Sequence, residues 1–122
     1  MPKYTDGFVI PVQKKKLKPY FKIARLAGKV WRDHGALEYK ECLGDDLTSA
    51  AAFALPFPKG IRTKAGETVV FSFIVYKSKA HRDKVNAAVM KDPRLAKMCD
   101  PKNMPFDCKR MLCGGFKVMV DA

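Results

Sequence analysis

A chain of 122 residues, 48% of them hydrophobic, is one domain, 1–122, with room for one modest core. Its 24 basic and 12 acidic residues give net +12, but residues 1–44 and 45–122 each carry +6, so no single segment stands out as a polyanion-binding tail. No apolar run approaches the roughly 18 residues of a membrane span, no secretory leader pattern opens the chain, and the four cysteines form no Cys-x-x-Cys pair and lie at no metal-ligand spacing from either histidine. These features predict a soluble cytoplasmic protein with reduced thiols, no metal site and no cofactor.

The first strand, Gly7 to Val12, is apolar on both parities, which marks a strand buried on both faces; Pro11 predicts a strand end or bulge. A helix follows from Leu17 to His34. Leu17, Phe21, Ala24, Gly28 and Trp31 recur every three or four residues along one face, and Pro19 falls in the first turn, where its missing N–H is harmless. Lys18, Lys22, Arg25, Lys29 and Arg32 make a cationic stripe on the opposite side, read as a solvated face. Ile23, Leu26 and Val30 widen the apolar sector beyond what one sheet covers, so the insertion after the second strand, or a partner subunit, is expected to shield them.

Gly35 stops this helix, and Ala36 to Leu43 alternates as an edge strand does, with Leu37, Tyr39 and Glu41 on one side. Residues 44–67 form a long connection containing the apolar run Ala50 to Phe57, expected to be a packed flap or to hold an extra short strand. Val69 to Tyr76 is a second strand apolar on both faces. Ser78 is placed to cap a helix from Lys79 to Asp92, which Pro93 ends. After a Pro-rich segment, Asp100 to Asp107, a fourth strand is predicted from Arg110 to Val120, with Gly114-Gly115 marking a bulge or a close backbone approach.

The order strand, helix, strand, strand, helix, strand is that of an α+β, ferredoxin-like βαββαβ domain, with an antiparallel sheet, the two-sided apolar strands in its centre and both helices on one face. That arrangement leaves the other face bare and apolar. A second copy covering it would make a dimeric α/β barrel, so a homodimer is expected.

Several segments carry a family likeness: Tyr4-x-Asp6-Gly7-Phe8-Val9, Gly28 through Asp46, Tyr76-Lys77-Ser78-x-Ala80-His81-Arg82-Asp83-x-Val85-Asn86, Asp92-Pro93-Arg94-Leu95, and Asp100-Pro101-x-Asn103-Met104-Pro105-Phe106-Asp107-x-Lys109-Arg110-Met111. Through them the chain resembles the YbaA-like family of small bacterial proteins, a family of unknown function in the dimeric α/β barrel superfamily. The resemblance implies the fold and the dimer. It implies no reaction, since the superfamily spans monooxygenases, haem proteins and stress-response proteins, and a shared fold does not carry an activity.

For proton chemistry near neutrality His34 and His81 are the first candidates. His34 stands at the end of the first helix, where capping is the bland alternative; His81 shares a helical face with Val85, which directs it toward the sheet. Glu41 follows Leu37 and Tyr39 inward and needs a partner, for which Arg110 on the other edge strand, or a basic residue of a second subunit, is the expected cation. Glu41, with Tyr39 and His34 or His81, would form a catalytic set, the alternative being a structural ion pair. Trp31, Tyr39, Asn103, Asp107 and Arg110 are the candidate ligand-binding residues. The functional expectation is a small apolar or aromatic molecule bound in a barrel or sheet–helix pocket, with or without turnover. A basic RNA-binding module is the alternative, because Phe71 to Tyr76 loosely follows the aromatic spacing of an RNA-recognition strand while lacking its basic-Gly start. A stress-related interaction protein without a pocket is the third reading.

Overall fold

Residues 2–98, 100, 102 and 104–122 are described by the computed structural model of the protein. The elements are β1 (Tyr4–Gln13), α1 (Leu17–Asp33), β2 (Glu38–Leu43), α2 (Phe57–Ile61), β3 (Glu67–Tyr76), α3 (Lys79–Met90), α4 (Pro93–Met98) and β4 (Leu112–Lys117). The four strands form one antiparallel sheet in the order β2-β3-β1-β4. This is the ferredoxin-like arrangement, and the two strands apolar on both parities are the central ones. Within one chain the sheet is open and does not close into a barrel.

Alternate residues of the central strands face the helices. Tyr4, Ile74 and Tyr76 pack with Val30 of α1 and with Val85 and Val89 of α3, while Ile10, Val12 and Val70 pack with Tyr20 and Ala24 of α1. The opposite parity, including Val9, Phe71, Phe73, Leu112 and Phe116, makes the uncovered face.

Pro11 causes neither the strand end nor the bulge expected of it. The β1–β3 ladder runs unbroken to Gln13↔Glu67, and β4 pairs with β1 only as far as Val9. Val69, opposite Pro11, offers its carbonyl to Gly44 on the β2 side, so the facing Pro11 nitrogen points beyond the end of β4, where no donor is needed. Nor does Gly114-Gly115 make a bulge, because β4 keeps register with β1 throughout. The glycines serve close approach: the Tyr4 ring lies over Gly115, and Phe116 lies over Gly7 and Gly114. β4 is also shorter than expected at both ends.

At the end of α1, Gly35 takes φ 112°, and the N–H of Ala36 returns to the Trp31 carbonyl at 3.0 Å, closing a Schellman-type cap. The connection 44–66 is a flap carrying α2 and a 3₁₀ turn at Ser49–Ala52, with no extra strand. Phe57 of α2 meets Phe71 at a ring separation of 6.4 Å. α3 and α4, rather than the flap, pack over part of the wide apolar sector of α1, with Ile23 and Val30 sharing a cluster with Val85, Val89, Leu95 and Met98, while Leu26 stays 39% exposed. Pro93 both follows α3 and starts α4, a helix the periodicity does not reveal.

Candidate functional site

Side chains of the helix-facing parity do not fill the space above the sheet. Between the sheet, α1, α3 and α4 lies a cavity of about 420 Å³. Its floor follows two rows across the sheet, Glu41↔Ser72↔Phe8↔Cys113 and Tyr39↔Ile74↔Asp6. Tyr20, Ala27 and Trp31 of α1 form one wall and Arg82, Asn86 and Met90 of α3 the other. Leu95 and Met98 of α4, with Met104, Phe106 and Met111, form the rim. Methionine is unbranched and polarisable, so a rim rich in it adapts to different shapes.

Two polar groupings face this space. In the first, Glu41 accepts a hydrogen bond on each oxygen, from the Tyr20 hydroxyl at 2.8 Å and the Tyr39 hydroxyl at 2.6 Å. Burial, then the Glu41 charge, push both phenols well above their usual range, so both keep their protons. In the second, Arg82 Nη1 donates to Asp6 at 3.0 Å, the Tyr76 hydroxyl lies 3.3 Å from Asp6 and 3.2 Å from Asn86 Oδ1, and Trp31 Nε1 donates to the same Asn86 oxygen at 3.1 Å. Having one proton, Tyr76 satisfies Asp6 or Asn86 at a time. Burial and the Asp6 charge hold this phenol protonated as well. The Asn86 amide nitrogen and the Ser72 hydroxyl have no hydrogen-bond partner among the described residues, and both residues line the cavity.

The profile of the family described as "Protein of unknown function (DUF1428)" matches residues 3–108. The chain belongs to that family. The DUF1428 chain is 38% identical over 119 residues, 98% of both chains, to proteins named "Uncharacterized protein YbaA" from Escherichia coli K12 and from Shigella flexneri. Among solved structures, a dimeric ferredoxin-like protein from an uncultured marine organism aligns over the whole of both chains with a TM-score of 0.59 at 13% identity, a likeness of fold. In this DUF1428 member, the segments carrying the family likeness converge: Asp6, Trp31, Tyr39, Glu41, Arg82 and Asn86 all line the one cavity.

The candidate residues divide accordingly. Trp31, Tyr39 and Glu41 are brought together in the cavity. His34 is not among its lining residues; its Nε2 pairs with Asp92 at 2.8 Å, and Arg94 binds the same carboxylate at 2.8 Å, tying the end of α1 to α4. These two partners hold the Asp92 carboxyl well below the usual range. His81 also stands outside. It occupies the first turn of α3, where its N–H is capped by Ser78 Oγ at 3.1 Å and its Nδ1 accepts from the Lys77 N–H at 3.0 Å, with Nε2 close to Gly35. Arg110 does not pair with Glu41. It forms a two-pronged pair with Glu67, at 2.6 and 2.8 Å, which lowers the Glu67 carboxyl to about 2 and fastens the turn before β4 to the start of β3. Asp107 caps the 3₁₀ turn Cys108–Arg110 through the Lys109 N–H. Asn103 and Cys99 lie outside the described residues; Cys42, Cys108 and Cys113 are free.

Sequence reasoning passed over Asp6, Tyr20, Ser72, Arg82 and Asn86. The available signal was polar content within apolar strands: Asp6 shares a parity with Phe8, Ile10 and Val12, so its carboxylate is carried inward and needs a cation. Arg82 and Asn86, four residues apart on one helix face, are placed to meet it.

Proposed function

We propose that the protein is a cytoplasmic homodimer that binds a small apolar or aromatic molecule in the cavity between the sheet and the helices. The carrying observation is the cavity itself, about 420 Å³ with mostly apolar walls and a few converging polar groups, the composition and size typical of a ligand site. Unfilled space of this size in a small domain forfeits packing, and an occupant restores it. The dimer is supported by the bare apolar sheet face and by the fold likeness to a protein described as dimeric. The free thiols agree with a reducing compartment, and among the described residues no helix is long and apolar enough to cross a membrane.

The RNA-binding alternative has less support. Phe71 and Phe73 lie on the uncovered face, whereas the cationic stripe Lys18, Lys22, Arg25 and Lys29 belongs to α1 on the other side of the sheet, so stacking surface and phosphate-binding charge do not converge. A library of apolar and aromatic metabolites screened by thermal shift tests the cavity. Ligands that stabilise the wild type should lose their effect on Ala27→Phe, which fills the space, or on Ser72→Leu should the first variant not fold. Equal responses from filled and unfilled protein would place the binding elsewhere.

A further inference from the structure

Three charged side chains line the cavity: Asp6, Glu41 and Arg82. Arg82 is already neutralised, since Nη1 donates to Asp6 at 3.0 Å and Nε lies 2.9 Å from Asp83 Oδ1. Its guanidinium also covers the Tyr4 ring, 4.8 Å from the centroid. Glu41 has no such counter-charge. Its two oxygens are taken up by neutral phenols, and among the described residues no Lys, Arg or His pairs with it. The lining therefore carries one negative charge in excess.

We propose that Glu41 anchors an organic monocation, and that the cavity takes a molecule with one protonated or quaternary amine on an apolar body. This rests on the cavity being a ligand site and names the ligand's chemical class. Water leaves when the cavity fills, and a desolvated carboxylate without a counter-charge is then costly; a cationic ligand supplies the missing charge. The aromatic walls favour the same choice. Phe8, Trp31 and Phe106 line the cavity with Tyr20 and Tyr39, and ring faces attract ammonium groups. An anionic ligand would find no uncompensated positive charge: Arg82 is paired with Asp6 and Asp83, although its buried Nε donates no hydrogen bond, and the protons of Tyr20 and Tyr39 are committed to Glu41. The chain's net +12 opposes a cation only weakly here, because exposed charges are screened beyond about 8 Å at physiological ionic strength while Glu41 acts at contact.

Calorimetric titration with three ligands of one shape tests this: phenethylammonium, 2-phenylethanol and phenylacetate. Wild type should bind the cation about tenfold more tightly than the neutral alcohol, and the anion most weakly. Glu41→Gln should bind cation and alcohol within about threefold of each other. If the alcohol binds wild type as tightly as the cation, or if the preference survives Glu41→Gln, the anchor is overturned and the cavity remains a ligand site. If none of the three binds, the cation reading falls, and the Ala27→Phe screen decides the fate of the cavity separately. Should Glu41→Gln not fold, the wild-type ordering of the three ligands alone upholds or overturns the assignment.

Discussion

Glu41 sits on an edge strand, yet the Tyr20 and Tyr39 hydroxyls both close on it, joining α1 to β2 through one carboxylate. Hydrogen bonds to a charged group are worth about 1.5–3 kcal/mol each, so this small cluster holds the helix over the sheet as well as setting the charge of the cavity. It also gives the protein an alkaline limit. Burial and neighbouring carboxylates raise Tyr20, Tyr39 and Tyr76 from the ordinary phenol value of 10.0, so the folded state favours the neutral form. A group raised on folding contributes stability that is fully present below its unfolded pKa and is lost as pH climbs through the folded one. Stability should therefore fall above pH 10, and these three phenols should ionise together with unfolding. Ultraviolet titration alongside circular dichroism reads both events. Three tyrosines ionising reversibly near pH 10 with the fold intact would contradict the cluster.

Among the elements, α1 shows how a residue that is poor for a helix can be right for a site. Glycine in a helix interior is worse than alanine by about 1 kcal/mol, and an exposed Gly-to-Ala change there stabilises. At Gly28 the sign should reverse, because an added Cβ would lie 2.9 Å from Tyr39 Cδ1 and drive the ring off Glu41. Gly28→Ala should destabilise by about 1–3 kcal/mol, the usual result of overpacking, as read from urea denaturation. Unchanged or improved stability would remove the close contact from the account. The elements also divide by how far they could be read in advance. β1 and β3 were legible as central strands because each is apolar on both parities, and β2 as an edge because Glu38 and Lys40 alternate with Tyr39 and Glu41. α4 was not, since six residues complete too few turns to show a period, and Pro93 reads equally as the end of one helix and the start of another. The two histidine settings differ in the same way: Lys77, whose N–H meets the His81 ring, lies only 4 residues before it, whereas Asp92, 58 residues beyond His34, becomes its neighbour only after folding. Arg82 and Asn86 were not legible, because polar residues on a helix default to solvent until Asp6, 76 residues before in the case of its Arg82 bond, brings one of them inward.

For the whole molecule, the sheet separates two surfaces with different tasks. One carries the cavity. The other presents Phe71, Leu112 and Phe116 at 43%, 58% and 61% exposure, with Val9 and Phe73 half-buried among them, an apolar face larger than isolated surface hydrophobics account for. Sheets pack face to face about 10 Å apart through interdigitating side chains, and a second copy offers the same apolar face to this one. Sedimentation equilibrium at micromolar concentration should give twice the chain mass, and the double variant Phe71→Lys with Phe116→Glu should sediment as a folded monomer. Because the substituted side chains point away from the cavity, the monomer should keep its affinity for cavity ligands, reduced only as far as lost stability reduces it. A monomeric wild type would leave the apolar face without a second copy. A variant that loses the dimer and the ligand together, while still melting cooperatively at the wild-type temperature, would mean that the cavity depends on the sheet's far side, against the separation that the strand parity describes.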